Sequence, residues 1–192
     1  MERLFYERPT LERKDDAIDY INEHLKYNSN INGVGSLDKY LDNYEGWLVK
    51  LEEDKNRQPT EERVPGETFF LVRESDNKIV GMVNIRWTLN KRLRESGGHI
   101  GYGIRPTERR KGYNKINLYL ALEYCQNHGI DRVMLTCDKE NVASSKTMLA
   151  LGAKFEKEQI YDGDLEENYW IDINESLEKY RDIYAPQIGR KR

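Results

Sequence analysis

At 192 residues the chain is long enough for one α/β domain with a substantial core and marginal for two, so a single domain over 1–192 is expected. Its 31 Lys+Arg against 34 Asp+Glu give a net charge of −3, which excludes a general attraction to nucleic acid or anionic membrane. No apolar run approaches the roughly 20 residues of a membrane span, the start lacks a signal-peptide core, and two cysteines, Cys125 and Cys137, are too few for a disulfide scaffold, so a cytoplasmic protein is expected.

Residues 5–8 form a candidate strand stopped by Pro9. Residues 10–26 read as a helix with Thr10 as N-cap and Leu11, Ile18, Ile21 and Leu25 at helical intervals. Residues 28–35 have loop chemistry. A second helix is expected over about 36–55, with Leu37, Tyr40, Leu41, Tyr44, Trp47, Leu48 and Leu51 as its apolar face. Beyond Pro65-Gly66, residues 68–73 and 78–87 are rich in β-branched and aromatic side chains, and Ser75-Asp76-Asn77 joins them as a hairpin. A polar loop to Gly98 and a strand at 100–104 follow. The next helix carries Leu118, Ala121, Leu122 and Cys125 on one face and ends near Gly129. Residues 132–137 read as a strand and 142–151 as a helix, and two final strands flank Asp162-Gly163-Asp164. The order predicts an α/β fold: a mixed, mostly antiparallel central sheet flanked by helices.

The chemistry concentrates in Ile104-Arg105-Pro106-Thr107-Glu108-Arg109-Arg110-Lys111-Gly112-Tyr113-Asn114. A strand ends at a proline, a basic loop follows, and a glycine stands where a helix begins. Free N–H groups and the positive end of the helix dipole make such a start an anion site, and arginine holds phosphate in a bidentate fashion. The segment alone reads equally well as a solvated basic turn.

Its context resembles the acetyl-CoA-binding core of the GNAT (Gcn5-related N-acetyltransferase) superfamily, whose loop reads approximately V-x-P-x-x-R-G-x-G-x-G/A. Ile104, Pro106, Arg109 and Gly112 match, while Arg110 and Asn114 stand where glycine or alanine is usual. Downstream, Asn141, Ser144 and Gly152 fall at the intervals of N-x-x-A-x-x-x-Y-x-x-x-G-F, with Met148 at the tyrosine position and Ala153 at the phenylalanine position. The core resemblance covers residues 100–152, and an acetyl-CoA-binding core of about 98–152 follows. It implies a splayed strand pair, with the pantetheine arm pairing to exposed backbone between the strand ending at Ile104 and the one ending near Cys137. Gly103, Ile104, Arg109, Arg110, Lys111, Gly112, Tyr113, Asn114, Asn141 and Ser144 become the expected cofactor-binding residues. Gly101 and Gly103 leave room for such an approach, or are simply flexible positions. Asn141 serves equally as a helix cap.

Met148 cannot donate a proton where the family's tyrosine is proposed to do so. Tyr102 and Ser145 are candidate replacements, and His99, by its ordinary pKa near 6.5, is a candidate general base as well as a structural histidine. No histidine or cysteine has ligand spacing, so no metal site is expected. Small apolar packing suits Cys137 better than acyl-enzyme chemistry. Asp162, Asp164, Glu166 and Glu167 form either a solvated face or a surface attractive to a cationic acceptor. The expected activity is direct acetyl transfer from acetyl-CoA to a small-molecule or peptidyl primary amine. A non-catalytic acyl-CoA-binding or regulatory module is the alternative, and a homodimer stays open.

Overall fold

The computed structural model describes residues 2–190. Strand β1 (Leu4–Glu7) is followed by a 3-10 turn, Leu11–Arg13, and helix α1 (Lys14–Lys26). Thr10 opens the turn without a side-chain cap, and α1 buries Ala17, Tyr20, Ile21 and His24, so that of the expected stripe Ile21 is buried and Ile18 half-buried. Leu11 and Leu25 are exposed. The face is turned by about one residue because the Tyr20 ring offers more area to bury than Leu25.

Residues 36–55 are not one helix. A 3-10 turn, Leu37–Lys39, breaks at Tyr40, and α2 (Tyr44–Asn56) restarts with the Asn43 side chain accepting from the Gly46 N–H at 3.1 Å. Asn43 lies inside an apolar stripe, but its capping bond decides the boundary. Strands β2 (Gly66–Arg73) and β3 (Lys78–Arg86) form the expected hairpin. The polar loop that follows holds an unexpected short helix, α3 (Lys91–Glu95), capped by Asn90. Then come β4 (Ile100–Ile104), α4 (Tyr113–Asn127), β5 (Arg132–Asp138), α5 (Val142–Leu149), β6 (Lys154–Tyr161) and β7 (Asp164–Asp172). A last helix, α6 (Ile173–Tyr184), lay beyond the sequence reading; Asp172 caps it through the Glu175 N–H at 3.0 Å.

The strands fall into a four-stranded sheet, β1-β2-β3-β4, and a three-stranded sheet, β5-β7-β6, with every ladder antiparallel. One apolar cluster joins both sheets to α4 and α6 through Leu71, Val83, Leu118, Leu122, Leu135, Ile171 and Leu177. On the opposite face of the larger sheet, α1 and α2 pack Tyr20, Ile21 and Trp47 on Phe70 and Met82. A small cluster of Leu89, Leu93 and Met134 covers the same side of the smaller sheet. Strands β4 and β5 therefore stand side by side at a break between two sheets, and that break positions the site.

Candidate functional site

Between β4 and α4 the charged side chains mostly bind one another. The buried Arg105 guanidinium donates to the Ile79 carbonyl at 3.0 Å, to Asp19 at 2.6 Å and to Glu23 at 2.9 Å. The other Glu23 oxygen accepts the N–H and hydroxyl of Thr107, each at 2.9 Å. Glu108 is buried and accepts from Arg73 at 2.7 Å, Lys78 at 3.1 Å and Lys111 at 2.7 Å. Burial alone would raise its pKa, but hydrogen bonds from Lys111, Arg73 and Lys78 draw it down to about 2. Arg109, an expected phosphate ligand, folds back instead, donating to the Ile104 carbonyl at 3.1 Å and to Ser29 at 2.6 Å. Arg110 is exposed. The Tyr113 ring is buried, with its hydroxyl 3.3 Å from Arg73.

The backbone of this loop is left open. Arg110 (φ 64°) and Gly112 (φ 82°) are left-handed, an arrangement that gathers successive N–H groups into a concavity. Among the described residues, no protein acceptor meets the N–H groups of Arg110, Lys111, Gly112, Tyr113 or Asn114. They lie at the positive end of the α4 dipole. A methyl group added to Gly112 would meet nothing within 4 Å, so the approach to this backbone is clear. The Asn114 Oδ1 is buried here without a partner.

Strand β4 has one bonded and one open edge. The Arg86 N–H bonds the His99 carbonyl at 2.8 Å and the Arg105 N–H bonds the Val80 carbonyl at 2.9 Å, bracketing the pairs Asn84–Gly101 and Met82–Gly103. By antiparallel alternation Tyr102 and Ile104 turn their N–H and C=O groups to the other edge, toward β5. Among the described residues, the backbone bond across this break is His99 N–H to the Met134 carbonyl, 2.8 Å. The space beside Gly101 and Gly103 serves the chain itself: a methyl at Gly103 would lie 2.9 Å from the Asn32 carbonyl, and one at Gly33 2.6 Å from the Gly101 carbonyl.

His99 closes the end of the gap. Its Nδ1 accepts the Met134 N–H at 2.9 Å, and burial lowers its pKa to about 4. It is neutral at pH 7, with that nitrogen already occupied, which is the position of a strand clamp rather than of a free base. Tyr102 reaches across to α5, its hydroxyl 2.9 Å from Ser144 Oγ. Asn141 accepts the Ser144 N–H at 3.2 Å and so fixes that start of helix. Burial raises the Tyr102 pKa well above its ordinary value and pushes the nearby Cys137 thiol up to about 11, so both stay protonated at neutral pH. Ser145 bonds the Val142 carbonyl at 3.3 Å and does not join this cluster. Met148 is 1% exposed, held in the core.

The side of the break facing α1 carries groups that sequence reasoning left open. Glu166 accepts from Ser96 at 2.8 Å, while its other oxygen is buried without a partner and burial raises its pKa. Asn168 is fully buried, and neither end of its amide has a partner. Glu167 accepts the Tyr169 hydroxyl at 2.6 Å. Glu108, Glu23 and Ser144's partner Tyr102 organise the site; for Glu108 the sequence signal was one acid among the cations of a basic loop. No group of three or more metal-ligating side chains occurs among the described residues, and no helix there is long and apolar enough to cross a membrane.

Comparison with known proteins adds an independent line. Residues 34–153 match the model of the acetyltransferase (GNAT) family. No curated protein sequence matches the chain. Among solved structures, a microcin C7 self-immunity acetyltransferase in complex with acetyl-CoA and AMP is similar at TM-score 0.63 and 17% identity, over 88% of this chain and 92% of that one. A ribosomal-protein-S5-alanine acetyltransferase from Vibrio fischeri is similar at TM-score 0.64 and 15% identity, covering 89% and 93%. Mutant forms of a spermidine/spermine N-acetyltransferase from Vibrio cholerae are similar at TM-score 0.63 and 14% identity, covering 92% and 98%. At these identities the likeness is one of fold.

Proposed function

Because the chain belongs to the acetyltransferase (GNAT) family, we propose that it transfers the acetyl group of acetyl-CoA to a primary amine by direct attack in a ternary complex. The observation that carries this reading is the row of unpartnered N–H groups at Arg110–Asn114, beside the open edge of β4. A pyrophosphate fits that donor set, with Arg110 and Lys111 adding charge at the rim. The pantetheine amides fit the free N–H and C=O groups of Tyr102, with Gly103 beside it and Asn141 and Ser144 across the gap, and the Ile104 N–H is left for the thioester. The structural neighbours support the donor and the acceptor class: one is in complex with acetyl-CoA, and others are named for acetylating spermidine or a ribosomal protein.

Acetyl-CoA supplies a thioester whose carbonyl carbon bonds the neutral amine nitrogen as the C–S bond breaks and CoA leaves as the thiolate, while the proton shed by the nitrogen passes to solvent, from which the thiolate is reprotonated. The Ile104 N–H polarises that carbonyl, and holding both reactants in place provides much of the acceleration. Tyr102 takes over at the departing sulfur from the α5 side chain that here points into the core. Its raised pKa lies above the thiol value of about 8.5, so it stabilises the thiolate by donating a hydrogen bond rather than by giving up its proton. Tyr102→Phe should lower kcat about tenfold, as expected for one hydrogen bond to a charged group, with little change in CoA affinity. Since the buried His99 is no ready base, the rate should follow the neutral fraction of the amine and rise with pH toward the amine's own pKa.

The test is incubation with isotope-labelled acetyl-CoA and mixtures of amines, read by mass spectrometry. Labelled N-acetyl products with matching release of free CoA are expected. Binding of acetyl-CoA without transfer to any amine would instead make the chain an acyl-CoA-binding module.

A further inference from the structure

Among the described residues, the arginines that leave solvent have carboxylate partners, with one exception. Arg13 meets Glu7 and Asp16, Arg73 meets Asp76 and Glu108, and Arg105 meets Asp19 and Glu23. Arg86, half-buried near the end of β3, has no carboxylate within ion-pair distance among the described residues. Its Nη1 donates to the carbonyls of Gly97 and Gly98, each at 3.0 Å, which fixes the plane of the guanidinium. The remaining donors, Nε and Nη2, have no partner there. Even a half-buried cation without a counter-charge is costly, and burial together with the nearby Arg92 lowers the Arg86 pKa to about 10.

The place of this charge gives it meaning. A methyl group added at Gly101 would stand 3.4 Å from Arg86 Nη2, and Gly33 closes over the same stretch of β4. The guanidinium thus lies between the Gly33 loop and the Gly97-Gly98 turn, on the face of β4 that looks toward α1. Ile104 is three residues further along β4, about 10 Å away at strand spacing. An acceptor anchored at Arg86 would reach the Ile104 end with its amine only if the two groups are a few bonds apart.

We propose that Arg86 binds an oxyanion of the acceptor, so that the preferred substrates are small amines bearing a carboxylate or phosphate close to the amino group. The inference rests on the acetyl-transfer reading above. An Arg fork grips such a group through two parallel N–H bonds, and with one nitrogen held by the glycine carbonyls Arg86 presents its other edge already oriented.

The experiment is calorimetric titration, with and without saturating CoA, using each α-amino acid against the amine left by its decarboxylation, and phosphoethanolamine against ethanolamine. At least one member bearing the carboxylate or phosphate should bind tenfold or more tightly than the counterpart that lacks it, and Arg86→Gln should bring that ratio close to one. Preference confined to the amino acids identifies a carboxylate site, and preference confined to phosphoethanolamine a phosphate site. Arg86→Lys keeps a cation that can hold one glycine carbonyl, so a correctly folded Lys variant with a ratio between the two guards against a folding artefact. No preference in any pair, or an unchanged ratio in Arg86→Gln, overturns the proposal. Failure of CoA itself to bind would be seen separately and would count against the donor site.

Discussion

The two halves of the site handle polarity in opposite ways. Around residues 105–114 the charged side chains are paired with one another, through Glu108 with its cations and Arg105 with Asp19 and Glu23, and the backbone N–H groups are left over. Across the break, on the face toward α1, the backbone is held, as by His99 and Met134, and the side chains Arg86, Glu166 and Asn168 are left over. A site read by backbone tolerates sequence change as long as its loop keeps its shape. A site read by side chains changes its ligand with each substitution. The first suits a donor common to a whole family, and the second suits the acceptor that distinguishes one member from another.

The largest effect should come from dismantling the ion cluster that shapes the backbone half. Glu108→Gln leaves Arg73, Lys78 and Lys111 without their shared carboxylate and should destabilise the fold by about 3 kcal/mol. Thermal melts should show a fall of roughly 6–12 °C, because each kcal/mol is worth about 2–4 °C at this size. An unchanged melting temperature would mean that the loop is held without Glu108.

Next in size is Gly112→Val. The open space around Gly112 accepts the side chain, but φ 82° does not suit a β-branched residue, and the added bulk covers the N–H groups. Acetyl-CoA affinity should fall by about 2 kcal/mol, near thirtyfold, in isothermal calorimetry on a variant that remains folded. Equal affinity would place the phosphates elsewhere.

The smallest effect probes the held backbone of the other half. The folded pKa of His99, about 4, lies below the unfolded value of about 6.5, so its contribution to stability is present above pH 6.5 and is lost as the pH falls toward 4. Between pH 6.5 and 5.5 the wild type should lose about 1 kcal/mol through this group, and His99→Gln should flatten that slope in urea titrations. The same variant should lower turnover by a factor that does not change with pH. A deficit that vanishes above pH 9 would restore His99 as a base.

How far the sequence could be read follows the same division. The hairpin of β2 and β3, strand β4 and helix α4 were legible because apolar periodicity and the glycine at 112 act locally. The basic loop at 109–114 was legible as a segment, but the contacts that shape it were not. Arg109 turns inward to Ile104 and Ser29, and the loop is shaped by Glu108 and Glu23, whose partners come from β2, β3 and beyond Pro106. Met148 was placed by spacing at a site position, yet spacing does not say that its side chain fills the core. Helix α6 was missed because Asp172 caps it directly at the end of β7, with no loop between to announce it. Arg86 gave no signal at all: an arginine at the end of a strand is ordinary, and only the fold withholds its carboxylate.

The most direct test of the account is to watch the backbone of the loop as CoA is added. Amide resonances of Arg110, Lys111, Gly112, Tyr113 and Asn114 should shift together in a 15N-edited NMR titration, and their hydrogen exchange should slow as phosphate oxygens take up the N–H groups now without acceptors. Heat of binding by CoA with those amides unmoved and still in fast exchange would contradict the account.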